Sequence, residues 1–222
     1  MSDEGAAKLI EQCLQNPAKF IKAGSSYQLL NEFFDAADIT KLQVLLTHVD
    51  YEVRKDAIWV LAELGDAGVP LLKVAVSLLP KADRFVHCYV LEVIAVCTVD
   101  GSYTNYIHVI EALENQDEVI QKLAMNLITN ANINQLQVCL QYFQRHMGHT
   151  TGLEQLIDYE NLEKDMVISL LNSPETLLRK YGAIIAKKLF HKHPEFLNLA
   201  LGGDDSTIRL FAKEALEDFE ED

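Results

Sequence analysis

Seven histidines, four cysteines and an excess of carboxylates are the reactive side chains of this chain, and their arrangement gives no specific catalytic constellation. The histidines are His48, His87, His108, His146, His149, His191 and His193, and none is followed by Glu. His191 and His193 are two apart, so on a helix they point to different sides. His146 and His149 are three apart and share a helical face, which would offer a metal two ligands. A metal site needs a third ligand and partners that orient the first ones. None is legible, so neither a metal nor another cofactor is expected. Cys13, Cys88, Cys97 and Cys139 form no C-x-x-C pair and read as small apolar residues kept reduced.

The remaining motifs are equally sparse. Gly202-Gly203 is a lone pair outside any phosphate-loop context, and there is no Gly-x-Ser-x-Gly turn or Walker-type loop. The 33 acids against 19 Lys and Arg give a net charge of −14. That balance argues against tracking a phosphate backbone, which needs clustered cations to replace counterions. It suits solubility and would steer a basic protein partner. The N-terminus MSDEGAAKLI has no basic-then-apolar leader pattern, and no apolar run reaches the roughly 20 residues that span a bilayer. A cytoplasmic protein without membrane contact is expected.

What would position functional groups is a repeated helical hairpin. Its best copy is Leu42 to Gly65. Leu42, Leu45 and Leu46 make an apolar stripe on a short first helix. Asp50 stands at the turn, where a carboxylate accepts unpaired N–H groups of the next helix. Val53, Ala57, Leu61 and Leu64 then line one face of a longer helix, and Gly65 follows as its left-handed stop. A hairpin of this size buries its stripes only by stacking on others of its kind.

The pattern of an acid, an aliphatic three residues on, a polar residue next, and further apolar positions recurs. It reads Asp50-Val53-Arg54-Ala57-Leu61, Asp83-Val86-His87-Val90-Ile94, and Asp117-Ile120-Gln121-Ala124-Ile128. It ends with Glu175-Leu178-Arg179-Gly182-Ala186 and Asp205-Ile208-Arg209-Ala212-Leu216. By subtraction the acids are 33, 34, 58 and 30 residues apart. Three steps fit one helical-repeat period, and the long one fits an insertion or a degenerate copy.

Over about residues 27–219 this signature resembles the HEAT-like family of helical repeats. The resemblance implies an all-α fold, a right-handed α-α superhelix of about five to six hairpins in a single domain. It also implies a ladder between repeats, with Asp50, Asp83, Asp117, Glu175 and Asp205 as acids and Arg54, Arg179 and Arg209 as bases; His87 and Gln121 depart from it. Residues 1–38 would be capping helices, with Ser26 the N-cap of the second. Repeats one to three would occupy 39–131. Residues 132–161 would be irregular or degenerate, with a helix Ile133–Met147 and a loop over 146–152. The last two repeats would occupy 162–219, and an acidic tail end 220–222.

HEAT-like enzymes set the limits of that likeness. Di-iron deoxyhypusine hydroxylases carry repeated His-Glu pairs, absent here. HEAT-like DNA glycosylases need a basic groove, against the charge of this chain. A HEAT-like lyase-type enzyme, such as a bilin lyase, remains an alternative to a non-enzymatic role.

In such an array the second helices line the concave side. Transferring offsets from the first repeat places Asp56, Trp59, Glu63, Tyr89, Glu92, Tyr181, Phe211 and Glu214 there. Aromatic anchors among acids suit a basic protein partner; the sequence leaves open whether the aromatics are exposed or core. The run Ser25 to Gly65, with Leu29-Leu30-Asn31-Glu32-Phe33-Phe34, Trp59 and Glu63-Leu64-Gly65, also resembles small bacterial HEAT-repeat immunity proteins of polymorphic or contact-dependent toxin systems. That likeness implies an immunity protein binding a basic toxin domain through its acidic, aromatic face. A non-toxin scaffold or adaptor is the other binding-type alternative.

Overall fold

The computed structural model describes residues 2–35, 37–98, 102–146 and 150–221, with the side chains of 2, 220 and 221 left aside. Its described residues are all-α, and they form two compact units, 1–100 and 101–222. No helix among them is long and apolar enough to cross a membrane.

In the N-terminal unit, α1 (Ser2–Gln15), α2 (Pro17–Lys22) and α3 (Ser25–Phe34) precede the repeats. Ala6, Ile10 and Cys13 of α1 are buried, and α1 packs on α3. Ser26 is not the N-cap. Gly24 holds that place with a φ of 67°, and Ser26, the second residue of the helix, donates its hydroxyl to Asp56. Leu29, Leu30 and Phe33 of α3 are buried, whereas Phe34, its last residue, is exposed. The first hairpin is a 3-10 turn and α4 (Gln43–Leu46), then α5 (Tyr51–Glu63); the second is α6 (Leu72–Val76) and α7 (Arg84–Cys97). Leu42, Leu45, Leu46, Val53, Ala57, Leu61 and Leu64 are all buried, as their periodicity requires. Asp50 accepts from the Glu52 N–H at 2.9 Å, and Gly65 turns the chain at a φ of 58°.

The C-terminal unit holds α8 (Ile107–Glu111), α9 (Glu118–Thr129), α10 (Ile133–His146) and α11 (Thr151–Ile157). It continues with α12 (Lys164–Leu171), α13 (Thr176–Lys188), α14 (Glu195–Leu201) and α15 (Ser206–Glu221). Hairpins α8–α9, α12–α13 and α14–α15 carry the repeat signature. Between them, α10 lies on the turn at 103–106 and α11 on α13. Helix α9 reaches past that insertion and packs on both α13 and α15. Met147 to His149 of the expected loop and Asp222 of the tail lie outside the described residues.

The expected ladder is built differently. The arginines close their own turns: Arg54 donates to the carbonyls of His48 and Val49 at 2.7 and 2.8 Å. Arg179 does the same to Ser173 and Pro174, and Arg209 to Gly203 and Asp204. Gln121, the departure at that position, donates to the Asn115 carbonyl and so keeps the role without a charge. Of the three arginines, Arg179 alone also meets an acid of the following repeat, Asp205, at 4.0 Å. Asp83 is instead reached by the Tyr51 hydroxyl. A guanidinium six residues past a turn carbonyl spans that gap within one hairpin, so the base is spent locally.

Candidate functional site

Five of the eight sequence-derived positions fall in the N-terminal unit, and the structure gathers them. Helix α3 packs on α5, and α5 on α7. Asp56, Trp59 and Tyr89 line one shallow groove of about 300 Å³, together with Tyr27, Glu52 and Lys55. Trp59 lies off the buried Val53–Ala57–Leu61 face, which is why α5 can present it to solvent. Tyr27 meets Trp59 edge-to-face, with centroids 4.8 Å apart. That geometry matches the ring quadrupoles and holds both aromatics without a core around them.

Charge surrounds this pair. Glu63 is exposed and Glu92 half-buried. Burial, and then the nearby Glu63 charge, push the Glu92 carboxyl above the usual carboxylate range. Asp56 is also pushed up by burial, with the Ser26 hydrogen bond opposing the shift. The Tyr89 phenol rises for the same first reason, with Glu92 and Glu63 adding to it. Lys55 is held by Glu52 at 3.6 Å and lies over the Phe85 ring at 4.8 Å. Glu63 and Glu92 thus act on each other and on Tyr89, which lines the groove with the exposed Tyr27 and the half-buried Trp59.

The C-terminal candidates behave otherwise. Tyr181 is 4% exposed and Phe211 1%. Glu214 forms an ion pair with Lys122 of α9. These three do not form one open face: α11 lies against Tyr181, and α9 packs on α15. On the α15 side, Ser206 donates to Glu118 at 2.6 Å and Thr207 to Gln121 at 3.2 Å. On the α13 side, Lys188 donates to the Thr129 carbonyl of α9 at 2.6 Å, and the buried Lys180 donates to the Leu113 carbonyl in the turn before α9. Offsets within a hairpin locate these residues correctly on their helices, but segments distant in the sequence, α9 and the inserted α11, lie over them.

Sequence reasoning missed Tyr27 and Phe85, which are 65% and 55% exposed. Both sit in the first turn of a helix and off its apolar stripe, and that was the available signal. The four cysteines are free thiols, and burial pushes Cys13 and Cys97 up to about 11 and Cys139 to about 12, away from the reactive thiolate. Among the described residues no group of three or more His, Cys, Asp or Glu could hold a metal. His146 bonds to the Tyr142 carbonyl at 2.8 Å, and His149 lies outside the described residues.

No family model matches this sequence, and no curated protein matches it. Among solved structures, it is similar to the designed armadillo repeat protein YIII(Dq)4CqI. That match has a TM-score of 0.53 at 16% identity, covering 95% of this chain and 98% of the other. It is equally similar to an engineered protein, with a TM-score of 0.53 at 18% identity over 97% of this chain and 96% of that one. At such identities the likeness extends to the fold alone: this chain has the helical-repeat fold, an architecture whose stacked hairpins offer extended binding surfaces.

Proposed function

We propose that this chain is a non-enzymatic protein-binding module, and specifically an immunity protein. It neutralises a basic bacterial toxin domain by covering that domain's active site or substrate-binding face. The observation that carries this reading is the edge-to-face pair of the exposed Tyr27 and the half-buried Trp59 in a groove with Asp56 and Tyr89, with Glu63 and Glu92 acting on Tyr89. Large aromatics with a polar tip dominate binding energy at protein interfaces. Acids that repel each other in the free protein gain the most from a cationic partner, which relieves the repulsion as it binds. The net charge of −14 steers the same partner at long range.

The test is capture of the product of the neighbouring gene by the full chain, followed by binding kinetics. Trp59→Ala is expected to weaken binding by roughly thirtyfold, the scale of a hot-spot aromatic. Glu63→Lys combined with Glu92→Lys is expected to slow association at low salt and to have less effect at high salt. A neighbour that is not toxic or is not bound removes the immunity role and leaves the adaptor reading, which uses the same face. An unchanged association rate would remove the acids from the mechanism.

A further inference from the structure

The groove where α3 meets α5 is built for one kind of chemical group. Three aromatic rings line it: Tyr27, Trp59 and Tyr89. Tyr27 meets Trp59 edge-to-face and lies close enough to the Tyr89 phenol to help raise it. Asp56 lines the same groove half-buried, and the Ser26 hydroxyl bound to its Oδ2 fixes the carboxylate in place. Glu52, one turn earlier on α5, adds a second carboxylate. Lys55 is the one base in the lining; it acts on Asp56, but Glu52 holds it at 3.6 Å and it lies over the Phe85 ring of α7. Two acids therefore stand against one base within the groove, and Glu63 and Glu92 extend the negative field past Tyr89.

Aromatic faces carry negative charge and attract cations, more strongly where water is partly excluded. A guanidinium uses both features of this groove at once. It is planar and weakly hydrated, so it stacks on a ring, and its N–H groups lie in the plane where a carboxylate at the edge accepts them. An ammonium is a compact, strongly hydrated charge and gains less from the rings. Size points the same way. About 300 Å³ is the lower limit of pockets that enclose a free small ligand, and a shallow groove of that volume suits one side chain presented by a larger partner.

We propose that this groove receives an arginine side chain of the protein partner, with its stem against Tyr27 and Trp59 and its guanidinium stacked on the aromatic wall and donating to Asp56. This rests on the reading of the same face as a protein-binding surface and names the group that it recognises.

Trp59 is the single tryptophan of the chain, so its fluorescence reports the groove directly. The experiment titrates the full chain, at constant ionic strength, with the N-acetyl methylamides of arginine, lysine and citrulline. Citrulline keeps the shape of arginine without its charge. The arginine probe is expected to give a saturable change, the lysine probe a weaker one and the citrulline probe none. Asp56→Asn is expected to weaken the arginine probe roughly fivefold. Tyr27→Leu, at an exposed position that leaves the core intact, is expected to weaken it about threefold. The proposal is overturned by an absence of saturable change up to about 100 mM arginine probe. Citrulline or lysine binding as tightly as arginine, or indifference of the arginine probe to both substitutions, overturns it equally. The titration needs no partner, so its failure removes the arginine site and leaves the protein-binding reading, whereas failure to capture the neighbouring gene's product removes the immunity role and leaves the titration result intact.

Discussion

Matching positions on repeated hairpins meet different fates in the two units. On α5 and α7 of the N-terminal unit, Asp56, Trp59, Tyr89 and Glu92 remain partly open to solvent. On α13 of the C-terminal unit, Tyr181 and Ile184, at the offsets of Asp56 and Trp59, are buried; on α15 so is Phe211. The local sequence of the hairpins is alike in both: an acid at the turn, a buried small residue one turn on, a polar residue closing the turn. What differs is a helix that returns. In the C-terminal unit α9 packs on both later second helices, and its polar side chains bind Glu214, Ser206 and Thr207. The same offset therefore serves recognition where nothing covers it and stability where something does.

That contrast is open to direct attack. The largest effect is expected from Phe211→Ala, which should lower unfolding free energy by about 3–5 kcal/mol through a core cavity. Trp59→Ala should lower it by about 1 kcal/mol, the cost of one exposed aromatic pair. Equal losses in denaturant titrations of the two variants would erase the distinction. Next, Lys122→Met should cost about 1 kcal/mol and loosen amide-exchange protection in α9 and α15, because it unlinks Glu214. Tyr51→Phe should cost about 1 kcal/mol in the N-terminal unit by removing the bond to Asp83.

The smallest effect has the most informative sign. The Glu92 carboxyl is raised in the folded protein, so folding favours its protonated form. Its contribution to stability is fully present below the carboxyl's unfolded range and is lost as pH rises through the raised folded value. Glu92→Gln is therefore expected to stabilise the chain by about 0.5 kcal/mol at pH 7, and this gain should vanish in acid. Thermal melts at the two pH values decide it. A destabilised variant at neutral pH would mean that Glu92 serves structure, and the acid pair would cease to distinguish the N-terminal unit.

The hairpins themselves were readable residue by residue. Asp50, Asp83 and Asp117 cap the helices that follow them, and Gly65 adopts the left-handed stop. The apolar stripe of the first repeat is buried throughout. The candidate site was readable only in part. Trp59 and Asp56 fell in one groove as their shared helix required, while the aromatic partner Tyr27 came from α3, which lacks the repeat signature. The arginine roles were misassigned for a related reason. Spacing gives the position of Arg54 but not which of two nearby acceptors, its own turn or the next acid, it will reach.

Caps, stripes and stops act within a few residues, where helix geometry converts spacing into direction, so the chain states them openly. Coverage depends on which distant segment arrives. Lys122 and Glu214 are 92 residues apart, and Glu118 and Ser206 are 88 apart. Nothing in either local stretch records that meeting. Helix α9 meets α13 and α15 although α10 and α11 intervene in the sequence, and α11 in turn lies against Tyr181, so both Tyr181 and Phe211 end buried.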